Sequence, residues 1–210
     1  MKIEGRKSRR PYSSPARQAG AEATKRAILS AARAAFTSVG YSASTIEAIA
    51  AASGVSAPTV YAVFGSKAAL LSTLIAGAGG DADIRALAKR TMDEMDPRAR
   101  LAGAAKVVRT IMQRERALLD VLREAGTGRP ELEAARHQVH QQQWAALAGA
   151  LQPIAEAGRL APGLSADEAT ATFTVIASPE SYAFFVDELG WSGARWERWL
   201  ANVAIRLLLD

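Results

Sequence analysis

The sequence predicts an all-α fold, an N-terminal three-helix, helix-turn-helix domain joined to a larger C-terminal helical bundle. Alanine is abundant while β-branched and aromatic residues are sparse, a balance that favours helix over strand. Strand-like alternation of apolar and polar residues is hard to find. Over residues 44–67 the run STIEAIAAASGVSAPTVYAVFGSK fits two short helices around a glycine turn.

Taken in order, residues 1–20 are polar, rich in Arg, Ser, Pro and Gly, and without periodicity; they read as a disordered basic arm. A helix follows over about residues 21–38, with Ile28, Leu29, Ala32, Ala35 and Phe36 on one stripe, and Gly40 stops it. Ser44 is predicted to open the next helix through a capping box with Glu47, burying Ile46, Ile49 and Ala50. Gly54 supplies the turn, where a positive φ is easiest for glycine. Ser56 caps the second helix, Pro58 sits in its first turn, and Val60 and Phe64 point back into the core. Ser66 caps a fourth helix through Leu70, Leu71, Leu74 and Ile75, which ends in a flexible stretch at 77–80. The helix-turn-helix domain is thus drawn over 21–67 and the C-terminal domain over 68–210.

Within the larger domain, residues 81–95 make one helix. Pro97 starts another through Ile111 and Met112, broken near Arg116, and a segment through Leu118, Leu119 and Leu122 ends at Gly126. Pro130 opens a helix that passes Trp144 towards Gly158, bent at Pro153. After a loop at 158–164, Ser165 caps a helix with Glu168 in the capping-box position. Ser178-Pro179 kinks it or starts a fresh helix, and Trp191-Ser192 leads into the last one, ending at Leu209.

Composition narrows the function. There is no cysteine, so disulfides, thiol chemistry and Cys-based zinc sites are excluded. No apolar run is long enough to span a bilayer, and the chain is expected to be cytoplasmic. No catalytic triad, phosphate loop or inward carboxylate pair is present; neither enzyme activity nor a cofactor is expected. His137 and His140 have the spacing to share a metal, but no nearby carboxylate or thiol completes a site, so no metal is expected. Charge is distributed unevenly: residues 1–67 carry ten Lys/Arg against three acids, and the remainder sixteen against eighteen. The positive excess coincides with the helix-turn-helix pattern, as a polyanionic partner requires.

That pattern suits the major groove of DNA. Ser56 and Thr59 can donate to phosphates or base edges, while Ala57 and Pro58 are flat enough to meet a thymine methyl. The Tyr61 hydroxyl can reach a phosphate; Lys67, at the start of the fourth helix, can grip another beside free amides, and Thr45 is a further candidate. The competing reading is a helical ligand-binding or scaffold protein whose basic N-terminus is merely solvated.

Residues 25–71 resemble the DNA-binding domain of TetR-type transcriptional regulators. The resemblance is carried by Ile28-Leu29-Ser30-Ala31-Ala32, Phe36, Gly40-Tyr41, Ser44-Thr45-Ile46, Ile49-Ala50, Gly54-Val55-Ser56, Pro58-Thr59-Val60-Tyr61, Phe64 and Ser66-Lys67. It implies a homodimeric regulator, usually a repressor, that leaves a palindromic double-stranded operator when a small molecule binds the C-terminal domain. By motif position it assigns phosphate contacts to Tyr41, Thr45, Tyr61 and Lys67, and base reading to Ser56 through Thr59 and the following pair. That pair departs from the family pattern: Ala62-Val63 stands where large aromatic, basic or histidine side chains are common. Arg6, Lys7, Arg9, Arg10 and Arg17 can then track phosphates or enter the minor groove.

The resemblance continues more loosely at residues 160–164, Ser178-Pro179-Glu180, Gly190-Trp191, Trp196, Trp199-Leu200 and Leu207-Leu208. It implies dimerisation through the last two helices, for which Phe173, Ile176, Leu200, Val203, Ala204 and Leu207 offer apolar stripes. An effector pocket is expected among the central helices, lined from Met92, Met95, Ile111, Met112, Leu119, His140, Trp144, Phe173 and Tyr182.

Overall fold

A computed structural model describes residues 15–77, 82–125 and 130–210, and it is all-α. In chain order the helices are α1 (Pro15–Ala43), α2 (Ile46–Ser53), α3 (Ala57–Phe64), α4 (Lys67–Ala76), α5 (Ala82–Asp93), α6 (Pro97–Ala125), α7 (Pro130–Glu156), α8 (Ala166–Ile176), α9 (Pro179–Ala183) and α10 (Gly193–Leu208). A π-helical turn, Phe184–Glu188, continues α9. Among the described residues the one strand-like feature is an isolated antiparallel bridge between Leu160 and Leu209. No single described helix is long and apolar enough to cross a membrane.

Several boundaries move. α1 begins at Pro15, so residues 15–20 are helical rather than part of the disordered arm. Proline is accommodated there because the first turn has no use for its missing N–H. At Gly40 (φ 80°, ψ 167°) the helix is interrupted before a last short turn. Ser44 does not cap α2. Its hydroxyl is buried and donates to the Gly40 carbonyl (2.7 Å), while Thr45 is the cap and accepts from the Ala48 N–H (3.1 Å). α5 stops at Asp93, two residues early. α6 runs without a break through Arg116, and α7 runs through Pro153. At Ser178 a fresh helix starts, its hydroxyl accepting from the Ser181 N–H. The Ser165–Glu168 capping box is present. Gly126 and the glycines of 78–80 lie outside the described residues.

Two apolar cores result. The first gathers Ile28, Phe36, Ile49, Val60, Leu70 and Leu71 from α1–α4, and is completed by Leu118, Val121 and Leu122 of α6 and Leu132 of α7. Hence α4 packs with α1–α3, and a boundary at residue 67 would cut through one core. The second joins α6, α7, α8, α9 and α10 through Leu101, Met112, Leu151, Phe173, Tyr182 and Trp196. Leu119 packs against both. With 29 residues, α6 is a rod roughly 43 Å long that serves both cores.

Polar links fix the same rod. Glu115 receives Arg33 of α1 at 2.6 Å. The next residue, Arg116, pairs with Asp187 of the π turn and with Asp120 at 3.6 Å. The hydrogen bond that it donates to the Asp187 carboxylate holds the Arg116 guanidinium above its ordinary pKa. Arg109 pairs with Glu197 of α10.

Candidate nucleic-acid interface

The chain turns through 103° between α2 and α3, an angle within the helix-turn-helix range. Gly54 makes this turn at φ 71°, ψ 24°. The Val55 N–H returns to the Ala50 carbonyl (3.1 Å), closing the end of α2 as left-handed glycine caps do. A cap at each entry then fixes the short helices: Thr45 for α2, Ser56 for α3 and Ser66 for α4. α3 is anchored by Val60, 1 % exposed, with Ala57 and Phe64 packed partly against the first core. Pro58, Tyr61, Ala62 and Val63 are left on the outside.

Of the sequence-predicted contacts, Thr45, Ser56 and Pro58 are exposed, and Tyr61 is 48 % exposed. Thr59 and Ala57 are half-buried. The Ser56 and Thr59 hydroxyls lie 2.9 Å apart and share a hydrogen bond. Lys67 and Tyr41 differ from the others. The Lys67 ammonium donates to the carbonyls of Tyr41 and Ser44, both at 2.8 Å, and stands 4.3 Å from the centroid of the Tyr41 ring. Tyr41 is 5 % exposed and stacks at 5.6 Å on Phe36. Both therefore brace the joint between α1, α2 and α4 instead of projecting outwards. Arg17 is exposed on the first turn of α1; Arg9 and Arg10, like Arg6 and Lys7, lie outside the described residues.

The effector-half expectations fare less evenly. Met112, Phe173 and Tyr182 meet in the second core, beside Trp196, and Leu119 sits at its edge. Met92 and Trp144 are each 38 % exposed, Met95 is 86 % exposed and His140 is exposed, so the nine residues do not line one cavity. His140 instead borders a cleft of about 270 Å³ with Glu133, Arg136 and His137. Although a carboxylate is thus present, no described group of three His or acidic residues converges as a metal site. The apolar stripe expected at a dimer contact also needs correction. Phe173, Leu200 and Ala204 are fully buried within the chain, Ile176 and Val203 are half-buried, and of the six Leu207 alone is exposed (51 %). Val175, 70 % exposed on α8, was not anticipated; its position two residues past Phe173, nearly opposite on a helix, is the signal that points to it.

Comparison with known proteins follows the same division. Residues 28–74 match the family model of bacterial regulatory proteins of the tetR family. No curated protein matches the chain by sequence. Among solved structures, similarity extends over nearly the whole chain. NalD, the secondary repressor of the MexAB-OprM multidrug efflux pump in Pseudomonas aeruginosa, aligns with TM-score 0.69 and 23 % identity, covering 91 % of this chain and 98 % of NalD. The regulator FadR from Bacillus subtilis, in complex with stearoyl-CoA, aligns with TM-score 0.71 and 17 % identity, covering 86 % and 97 %. A structure described as a TetR-family transcriptional regulator from Rhodococcus sp. gives TM-score 0.73 at 17 % identity, covering 89 % and 99 %.

Proposed function

We propose that this chain, whose residues 28–74 match the family model of bacterial regulatory proteins of the tetR family, is a homodimeric repressor released from a palindromic operator by a small-molecule effector. The observation that carries the reading is the outer face of α3. It stands clear of both cores, within residues 1–67, which hold ten basic residues against three acids. In this reading Ser56, Pro58 and Thr59 face the bases, Tyr61 and Thr45 reach phosphates, and Tyr41 and Lys67 hold the frame on which they sit, while Ala57 packs on the first core instead of meeting a base. Arg17, at the start of α1, with Arg9 and Arg10 before it, adds phosphate contacts whose strength depends on salt.

Dimerisation is assigned to α8 and α10, through exposed Val175 and Leu207 with half-buried Trp199 and Val203 beside them. A two-fold pair sets the recognition helices about 34–36 Å apart, one turn of DNA. Effector release runs through α4 and α6. α4 packs on α1, α6 and α7, so a ligand that displaces α6 shifts the base of the reading head. The descriptions of NalD as a repressor and of FadR as bound to stearoyl-CoA support a repressor that answers to a small molecule.

Selection of random duplexes by the full chain tests the proposal. The expected product is a palindrome, bound by a dimer with an affinity that falls steeply with salt and weakened by Thr59→Ala and Tyr61→Phe with no change in melting temperature. An unenriched pool rejects it in favour of a helical scaffold. By linkage, any effector must weaken operator binding by the factor with which operator weakens effector binding.

A further inference from the structure

The recognition helix lacks the usual chemistry for reading bases. From Ser56 to Gly65 the chain runs SAPTVYAVFG, without Arg, Lys, His, Asn, Gln, Asp or Glu. Guanine is normally read by a bidentate Arg or Lys, adenine by Asn or Gln, and the cytosine amino group by a carboxylate. None of these is available on α3. Its two aliphatic hydroxyls are partly spent on each other, since Ser56 and Thr59 share one hydrogen bond at 2.9 Å and keep a single further hydroxyl proton between them.

What α3 does present is small and apolar. Val60 points into the core, with Phe64 and Ala57 beside it. At about 100° per residue, Pro58, Thr59 and Ala62 therefore occupy the opposite side, flanked by Tyr61 and Val63. Pro58 and Ala62 are exposed, and Val63 is 44 % exposed. With only a methyl at Ala62, the helix can lie close to the floor of a groove. The thymine C5-methyl is the one major-groove feature that asks for apolar contact rather than a hydrogen bond.

Resting on the operator-binding reading above, we propose that this chain selects its operator through thymine methyl groups, met by Pro58, Ala62, Val63 and the γ-methyl of Thr59. Hydrogen bonds to purine edges contribute little to that choice. Val63 is the residue of largest apolar reach and sets the preference at one symmetric pair of positions.

The test uses the full-length protein and the palindrome it selects from random duplexes. Each thymine is replaced in turn by deoxyuridine, which removes the methyl and keeps the base pair. Each purine is replaced separately by its 7-deaza analogue, which removes N7. The expected result is a loss of about fourfold in affinity for each critical methyl removed, and less than twofold for 7-deaza purines. In Val63→Ala, whose side chain is too exposed to matter much for folding, the uracil penalty should vanish at one symmetric pair and persist elsewhere. A selected site indifferent to uracil, or more sensitive to 7-deaza purines, overturns methyl reading while leaving operator binding intact. Failure to enrich any sequence overturns both.

Discussion

Around the helix-turn-helix, each helix start is secured by a residue three positions away: Thr45 by Ala48, Ser56 by Thr59 and Ser66 by Ala69. The C-terminal half has caps of the same kind at Ser165, Ser178 and Ser192, but it is also pinned from much farther off. Arg116 reaches Asp187 across 71 positions and Arg109 reaches Glu197 across 88. Short helices cannot rely on length for stability, so they depend on caps and on a glycine with a left-handed backbone. Long helices hold themselves more easily and need distant partners chiefly to set where they lie. Lys67 is an exception in the first region, binding carbonyls 26 and 23 positions back.

Substitutions can break this contrast or sharpen it. The largest expected loss is in the distant-contact core: Trp196→Ala, at a fully buried side chain, should cost about 3–5 kcal/mol in denaturant unfolding. Next comes Lys67→Met, which strips two carbonyls of their donor and should cost roughly 1–3 kcal/mol without DNA present. A lysine that served only a phosphate would leave unfolding unchanged. Gly54→Ala follows, at about 1–2 kcal/mol, from backbone strain alone, since a Cβ there meets nothing within 4 Å. Thr45→Ala should remove about 1 kcal/mol by uncapping α2.

The smallest effect is one of pH. Hydrogen bonds from the Ser165 hydroxyl and backbone N–H hold the Glu168 carboxyl below its ordinary pKa. A lowered folded value means the contribution is complete above the unfolded carboxylate range and fades as pH falls through the folded value. Melting temperatures of the native chain and Glu168→Gln should therefore differ slightly at neutral pH and converge in acid. A difference that persists at pH 2 would assign the effect to something other than this charge.

The same contrast explains how much could be read from residues alone. Gly40, Gly54, Ser56, Pro58, Ser66 and the Ser165–Glu168 box are punctuation marks whose physics is local, and each falls where its neighbours put it. The shift from Ser44 to Thr45 as cap is a one-residue error between two hydroxyls, settled when the Ser44 side chain turned back to Gly40. The inward turn of Lys67 and the buried ring of Tyr41 depend on the meeting of three helices, which no short window displays. Likewise, Phe173, Leu200 and Ala204 look equally suited to a core or an interface, because apolar periodicity does not say which neighbour covers it. The unbroken course of α6 through Arg116 is another long-range result, owed to partners on both sides.

That unbroken course bears on how such proteins can be recombined. An N-terminal unit severed after α4 would leave behind the leucines and valine of α6 and α7 that roof it. It would present a bare oily flank to water and aggregate or melt. Chimeras that exchange C-terminal halves should succeed when the splice falls beyond Leu132, so that the roof travels with the house it covers.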